Sequence, residues 1–463
     1  MKAIRSKNDC RKKFGIQWLF AVLIVHQCCW LVESQDYGNI AGQWKVQYGQ
    51  NENLESLDLW TSAKEVVYIT IYDVERPEDN EDLYFELHVE NEKLAKVEEG
   101  RRVNLNDFQT ADKWQGEVAI DGLHFGYTEL YMKLVDPRSS RTERSAQSLE
   151  LIVRRTKRIA DNTLTFTSAA IALLMFINLG TVLDLKRLIG IFRRPIGPLL
   201  GFCCRYIIMP GLALGLAALM FKDNKRLQLA AFFTAITPSG GIANICNIFL
   251  RGNVNLSLAT TTVNSILALG MLPLWVYLIG PVLYPEQTLD LPFIDLAVGC
   301  VGLCLALLVG VMLRTCIPKT TRFIFRFLKP FSVVLSLCLV ALTVGLNYYI
   351  FGEITLLIFL LSLCLPLLGY VFSFILSKLL CRTATDSMTI AIETSVLNMT
   401  LPIVLLEYTM SQPMADMLIV VPITSALVSL CLVLIFYIVR RIFGWNRPVD
   451  QDCFDEKKFL VEN

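Results

Sequence analysis

Charged side chains are scarce in this 463-residue sequence: 18% of its residues are charged, against about 25% in soluble globular proteins. Histidine is scarcer still, with three residues that all precede the apolar blocks from Thr163 onward, which excludes a histidine proton relay in those blocks. No GxxxxGK[ST] sequence occurs, so nothing indicates ATP-driven work. The 43 basic and 42 acidic side chains nearly cancel, and no net field favours nucleic acid.

Cysteine is absent between residues 35 and 160, although the whole chain has 14 cysteines. Most of these cysteines lie in or beside apolar blocks, as small hydrophobic residues do. No CxxC pair has zinc spacing. The sequence therefore predicts neither a disulfide framework nor a zinc site.

Apolar residues are abundant, at 54% of the chain, and they fall in blocks long enough to cross a hydrocarbon core about 30 Å thick. From Thr163 onward nine blocks can be distinguished: 163–184, 196–221, 227–250, 254–280, 290–313, 329–350, 354–377, 385–409 and 415–439. Basic residues concentrate in alternate loops, which places the C-terminus in the cytoplasm. We therefore expect an α-helical polytopic membrane domain at residues 159–445, followed by a cytoplasmic tail at 446–463.

The N-terminus has the features of a secretory signal: a basic segment, the apolar run Phe14–Val32, and small-residue positions before Gln35. We predict that residues 1–34 are a signal peptide. The alternative is an uncleaved anchor. Either one places the following domain, residues 35–158, on the extracellular or lumenal side.

That N-terminal domain alternates apolar and polar residues in five short segments separated by turn-forming residues. The segments are Glu65–Val74, Leu83–Glu90, Trp114–Ile120, Tyr127–Val135 and Ser148–Val153. Such period-two segments predict a β-sandwich ectodomain, immunoglobulin-like in arrangement. The acidic run Glu75–Asp82 is interpreted as a solvated loop, with a Ca²⁺ site as the less favoured alternative.

Two apolar blocks contain residues that do not suit a continuous helix. The third has Pro238, Ser239, Gly240 and Gly241, and the eighth has the carboxylate of Glu393. Helix breaks survive in membranes where they line a cavity, and a carboxylate at that depth indicates a functional site. Paired interruptions are typical of inverted repeats with two discontinuous crossing helices that bind ions and substrate. The alternative is a kinked helix with a carboxylate facing a water pocket.

Several sequence groups in the membrane domain match a known family. They are Leu179-Gly180 through Ile208-Met209-Pro210, Arg251-Gly-Asn-Val-Asn-Leu-Ser257 with Leu269-Gly-Met-Leu-Pro273, and Thr389-Ile-Ala-Ile-Glu393 with Asn398. On these motifs, residues 165–440 resemble the bile acid:sodium symporter family. The long N-terminal region is similar to that of the family's animal orphan members.

The resemblance implies a sodium site at Asn244, Ser257, Thr261 and Glu393. Ala243 stands where the family has a serine, so one hydroxyl ligand is missing. Amide, hydroxyl and carboxylate oxygens suit sodium, because sodium is a hard cation.

The resemblance also implies a second sodium site, at Arg205, Glu393, Thr394, Val396 and Leu397. The family has glutamine where Arg205 and Leu397 stand. We predict that Arg205 is a surrogate for the second sodium and pairs with Glu393. The alternative is that Arg205 snorkels to the membrane interface.

Asn398 matches a family asparagine that faces the substrate cavity. The resemblance therefore implies a secondary transporter, not an enzyme, that symports Na⁺ with a small organic anion such as a bile acid or sulfated steroid. Plasma or secretory-pathway membrane and its lipid are the expected surroundings, nucleic acid is not an expected partner, and no pattern names a partner of the ectodomain. The alternative is a receptor or assembly partner that acts through the ectodomain.

Overall fold

The structure, a computed structural model, describes part of the chain. It covers residues 44–443 except 51–52, 75–82, 100–101, 105–107, 109–112, 139–140, 157–158, 183–194, 285–292 and 317. The chain divides into two compact units, residues 1–153 and 154–463. The predicted signal peptide, the acidic run and the cytoplasmic tail lie outside the described residues.

The first unit consists of strands in two sheets. The strands are β1 (Lys45–Tyr48), β2 (Ser56–Trp60), β3 (Lys64–Tyr72), β4 (Tyr84–Val89), β5 (Ala95–Glu99), β6 (Arg102–Asn104), β7 (Trp114–Gly122), β8 (Gly126–Asp136) and β9 (Arg141–Arg154). One sheet has the order β1-β3-β7-β5, and the other has β2-β9-β8-β4-β6. Pairs such as β3 with β7 and β4 with β8 are antiparallel. The five predicted segments are β3, β4, β7, β8 and β9.

One apolar core lies between these sheets, because alternate residues of each strand point inward. Phe85 of β4 is fully buried, and the ring centroids of Trp44 and Phe108 lie 5.1 and 5.8 Å from its own. Val67 of β3 and Leu130 of β8 belong to the same core, so both sheets contribute. The predicted β-sandwich is confirmed, whereas the immunoglobulin-like arrangement stays a prediction.

The second unit is helical in its described residues. The helices are α1 (Ile159–Val182), α2 (Ile196–Cys203), α3 (Met209–Met220), α4 (Lys225–Ile236), α5 (Gly241–Phe249), α6 (Val254–Leu283), α7 (Phe293–Cys316), α8 (Pro318–Leu346), α9 (Leu356–Leu379), α10 (Ala384–Ser395), α11 (Thr400–Thr409), α12 (Met414–Leu418) and α13 (Val420–Ile442). A π-helical turn, Cys204–Ile208, joins α2 to α3, and the 3₁₀ segment Tyr348–Glu353 precedes α9.

Apolar helix is present in every predicted block. Within the described residues, five spans are long and apolar enough to cross a membrane: α2 through α3, α6, α9, α10 through α11, and α12 through α13. The bent pair α4 and α5 meets the same condition as one span, and α1, α7 and α8 contain shorter apolar stretches. The multi-pass helical architecture is confirmed, and the count of nine crossings stays a prediction.

Helix α1 packs mainly on α7 and α8, while the remaining helices pack mainly with one another. At the crossing of α1 and α7, Gly180 and Gly310 bring the two backbones into direct contact. A Cβ atom on Gly180 would collide with the carbonyl oxygen of Leu307, and one on Gly310 with that of Ile177. Small residues permit such close approach of helices in membranes.

A polar cluster joins three segments of this unit. Arg155, which precedes α1, donates from Nη2 to Asp416 Oδ1 of α12 at 3.1 Å, and the two side chains are 12% and 2% exposed. The guanidinium lies 5.1 Å from the ring centroid of Tyr349, whose hydroxyl donates to Asn347 Oδ1 at 3.1 Å. The cluster therefore connects the start of α1, the segment after α8 and the turn before α13.

Candidate functional site

The first helix interruption lies between α4 and α5, which meet at 62°. α4 ends at Ile236, and Thr237 is extended (φ −75°, ψ 141°), as residues before proline prefer to be. Pro238 has no amide proton with which to continue the helix. Gly240 is also extended, and α5 begins at Gly241. The predicted break is therefore present at the predicted residues.

The second interruption lies between α10 and α11. α10 ends at Ser395, Val396 is extended (φ −74°, ψ 111°), and α11 begins at Thr400. Asn398 lies in the gap: its Oδ1 accepts from the Thr400 amide at 3.0 Å, and its Nδ2 donates to the Pro238 carbonyl at 3.4 Å. The two interruptions are thus in contact with each other.

The carboxylate of Glu393 is the centre of a buried polar cluster next to these breaks. Its Oε2 accepts hydrogen bonds from Ser239 Oγ and Thr261 Oγ1, both at 2.8 Å, and its Oε1 contacts Ser257 Oγ. Asn244 Oδ1 lies 2.8 Å from Ser257 Oγ and 3.3 Å from Thr261 Oγ1. All five side chains are at most 1% exposed. The four residues named as sodium ligands lie together, and Ser239 joins them.

Four elements position these side chains. Ser239 lies in the extended break, and Asn244 is in the first turn of α5 just after it. Ser257 and Thr261 are four residues apart on α6, which places them on one face of that helix. Glu393 is in the last turn of α10. The site therefore depends on both interruptions and on the helix that packs beside them.

The donor set has the chemistry of a site for a hard monovalent cation. It offers carboxylate, amide and hydroxyl oxygens, which suit sodium. None of the ion pairs formed by the described residues includes Glu393. A buried carboxylate without a compensating charge is costly in a membrane protein. The residues present therefore fit a sodium ion.

Asn247 belongs to the same cluster and was not expected from the sequence. Its Nδ2 lies 3.2 Å from Glu393 Oε1 and 3.1 Å from Ser257 Oγ, and the side chain is fully buried. It follows Ala243 by one helical turn, so the two share a face of α5. The resemblance implies a hydroxyl at position 243, where this chain has alanine. A polar residue one turn later on the same helix face was the signal that could have identified Asn247.

Arg205 is fully buried in the π-helical turn. Its Nε donates to the Thr237 carbonyl at 2.6 Å, its Nη2 contacts the same oxygen, and its Nη1 donates to the Thr394 carbonyl at 2.8 Å. The predicted ion pair with Glu393 is wrong, because hydroxyl and amide donors already surround that carboxylate while the carbonyls at the breaks need donors. The snorkelling alternative is also wrong, since the guanidinium reaches into the interior.

Two other positions of the implied second site, Val396 and Leu397, are apolar. Leu397 is 3% exposed and packs with Met209, Leu365 and Ala426. Its side chain therefore provides no oxygen toward a cation. Val396 is buried in a separate apolar cluster.

Comparison with known proteins gives one family match within the helical unit and several related proteins. Residues 169–354 match the Sodium Bile acid symporter family. The human P3 protein is 28% identical over 246 residues, which is 52% of this chain and 51% of that protein. The human sodium-dependent organic anion transporter is 29% identical over 242 residues, 52% of this chain and 63% of the relative.

The human hepatic sodium/bile acid cotransporter is 25% identical over 250 residues, covering 53% of this chain and 70% of the relative. The alignment thus spans about half the length of the P3 protein and more of the two transporters. A symporter family carries solutes and catalyses no chemical conversion, so the prediction that the chain is not an enzyme is confirmed at the level of the family. The motifs, the helical architecture and these matches agree: the helical unit is similar to the sodium bile acid symporter family.

Proposed function

We propose that this chain is a secondary active transporter that symports sodium with a small organic anion by alternating access. The observation that carries the proposal is the buried carboxylate of Glu393, which lies where two interrupted helices meet and has hydroxyl and amide groups around it. Interrupted helices of this kind bind coupling ions and substrate in secondary transporters. The names of the two human transporters support sodium as the ion and an organic anion as the substrate class.

In this proposal Asn244, Ser257, Thr261 and Glu393 hold the sodium ion. Sodium is then in direct contact with the carboxylate, with which no described side chain forms an ion pair. Because the ligands come from α5, α6 and α10, a bound cation draws the two interruptions together. Asn398 lies at the contact between the interruptions and offers its amide to an anion, so we assign it to the substrate cavity.

We further propose where the chain resides. The excess of basic residues in alternate loops supports a cytoplasmic C-terminus and an extracellular or lumenal β-sandwich. The membrane is then the plasma membrane or another membrane of the secretory pathway, with residues 1–34 as the signal segment. A bile acid, a sulfated steroid or a similar amphipathic anion is the proposed cargo.

The test is uptake of radiolabelled taurocholate and estrone sulfate into membrane vesicles that contain the full chain, in a sodium gradient and in a matched potassium gradient. We expect uptake of at least one anion to require sodium. Glu393→Gln keeps the shape and removes the charge, so uptake should fall about tenfold or more. Glu407→Gln, at an exposed carboxylate of α11, is the matched control and should retain uptake. Uptake that is equal in potassium, or unchanged in Glu393→Gln, would contradict the proposal.

A role as a receptor or assembly partner is the second candidate. It is favoured by the loss of side-chain oxygens at Ala243 and Leu397 and by the separate β-sandwich unit. A full chain that reaches the membrane, binds no ²²Na⁺ and moves no anion would favour this second function. Sodium-dependent uptake that persists after deletion of residues 35–153 would count against it.

A further inference from the structure

Two helix C-termini end beside Arg205. α4 ends at Ile236 with Thr237 as its C-cap, and Thr394 lies in the last turn of α10. The last carbonyls of a helix lack intrahelical donors and carry the negative end of the helix dipole. Water cannot satisfy such groups within a membrane span. The carbonyls at both helix ends therefore need hydrogen-bond donors and a nearby positive charge.

The guanidinium of Arg205 supplies both the positive charge and the donors. It donates to the Thr237 carbonyl on one side at 2.6 Å and to the Thr394 carbonyl on the other at 2.8 Å. A planar guanidinium can do this because it has five donors in a fixed fork and remains charged. The side chain is completely buried, so its charge serves these interior groups.

The local backbone is adapted to this contact. Arg205 is the second residue of the π-helical turn Cys204–Ile208, which interrupts the regular α-helix between α2 and α3. Single π turns inside helices occur frequently at functional sites. Leu397 provides a second observation: it is buried and packs among Met209 and Leu365, so its side chain offers no oxygen to a second cation.

We infer that the guanidinium of Arg205 is a built-in cation that replaces the second coupling ion, so that this chain binds a single sodium, at Glu393, in each transport cycle. The inference rests on the proposed function. It differs from the sequence prediction in the groups that Arg205 binds. The guanidinium donates to helix-end carbonyls, so the carboxylate of Glu393 remains available to sodium.

The charges of the buried groups then restrict the substrate. Glu393 and Arg205 cancel in the empty carrier, and one sodium makes the site positive by one charge. A monovalent anion restores neutrality in the loaded carrier. The empty and loaded forms are the two that reorient in a symport cycle, so neither should respond strongly to membrane potential. On this charge balance, a monovalent organic anion is the cargo that leaves both reorienting forms neutral.

The experiment is equilibrium binding of ²²Na⁺ to the purified full chain, which needs no knowledge of the anion. We expect about one sodium per wild-type chain with a Hill coefficient of about one. Arg205→Gln with Leu397→Gln should bind about two, with a Hill coefficient above one. Leu397→Gln alone is the matched control and should still bind one, because the fixed cation remains. Two sodium ions on the wild type, or one on the double variant, would overturn the inference.

Failure of the proposed function gives a different result. If wild type and Glu393→Gln bind equally little sodium, the proposed coupling is wrong. The role of Arg205 as a built-in cation is then tested by melting temperature. Arg205→Gln should melt at a lower temperature than wild type, and sodium should raise its melting temperature more than that of wild type. Arg205→Lys, which keeps the charge without the fork, should lie between the two. Equal melting of Arg205→Gln and wild type, with no response to sodium, would refute the inference.

Discussion

The β-sandwich and the helical unit bury opposite kinds of side chain. The largest buried groups of the sandwich include Phe85 and other aromatic or aliphatic residues. The helical unit buries Arg205, Asn247 and Glu393 just as deeply, while Leu305 of α7 is 56% exposed. In water the apolar core stabilises the fold. In lipid that driving force between helices is absent, and polar contacts and close packing take its place.

This difference indicates where function can reside. The sandwich has few buried polar groups in its described residues, and each small one, such as Ser145, has a hydrogen-bond partner. The helical unit buries many more polar groups, including those around the carboxylate of Glu393 and the guanidinium of Arg205. A variant that removes apolar volume should therefore harm the first unit most, and one that changes polarity should harm the second.

The largest expected effect is in the sandwich core. Phe85→Ala removes a fully buried ring, and it should destabilise this unit by about 3–5 kcal/mol. Hydrogen exchange of the β4 amides in the full chain measures this local loss. Val66→Ala on β3, at a side chain that is 52% exposed, is the control and should change exchange little. Equal protection in wild type and Phe85→Ala would break the contrast.

The second-largest effect is expected from a charge placed on an exposed apolar position, where the two units should respond differently. Leu305→Lys places a charge in the middle of α7 and should cost about 2.5–3.5 kcal/mol. The same change at the exposed Val66 should stay within about 0.5 kcal/mol. The yield and melting temperature of the purified full chain report both variants. If Leu305→Lys were tolerated as well as Val66→Lys, the expectation that this face of α7 contacts lipid would be wrong.

The polar cluster at Arg155 gives a smaller effect. Asp416→Asn keeps the side-chain shape but removes the charge that accepts from Arg155. Loss of a hydrogen bond to a charged group costs about 1.5–3 kcal/mol. We expect a lower melting temperature with sodium affinity unchanged, because the cluster is separate from the Glu393 site. A change in ²²Na⁺ affinity without a change in melting temperature would show that the cluster acts on the sodium site and not on stability.

The smallest expected effect concerns Asn247. Asn247→Ala removes the amide beside Glu393 Oε1, and loss of a group that orients a metal ligand typically lowers affinity about tenfold. Sodium affinity from ²²Na⁺ binding is the measurement. Ala243→Ser in the same variant should restore part of the loss, since it returns the hydroxyl found in the family. Unchanged affinity in Asn247→Ala would make the residue structural.

The sequence predicted the parts of this site that depend on local chemistry. Pro238 and the adjacent glycines cannot continue a helix, so the break was predictable from residue type alone. Ser257 and Thr261 were predictable because the family motif and the helical spacing agree. The short strands β2 and β6 could not be predicted, since three to five residues give too little alternation to distinguish a strand from a loop.

The partners of Arg205 could not be predicted, because sequence does not show which backbone carbonyls a broken helix leaves free. A buried arginine and a buried glutamate in neighbouring spans suggested an ion pair. The structure satisfies each with different groups: carbonyls for Arg205, and hydroxyls and an amide for Glu393. The contact of Asn247 was missed for a similar reason, since sequence does not show that its amide reaches Glu393 Oε1.

The glycine contact between α1 and α7 limits how the helical unit can change shape. With Gly180 against Gly310 there is no side chain between the two helices at their crossing, so one cannot roll over the other by exchanging rotamers. If the chain transports by alternating access as proposed, we expect α1 and α7 to move together, because their backbones are in direct contact at this crossing.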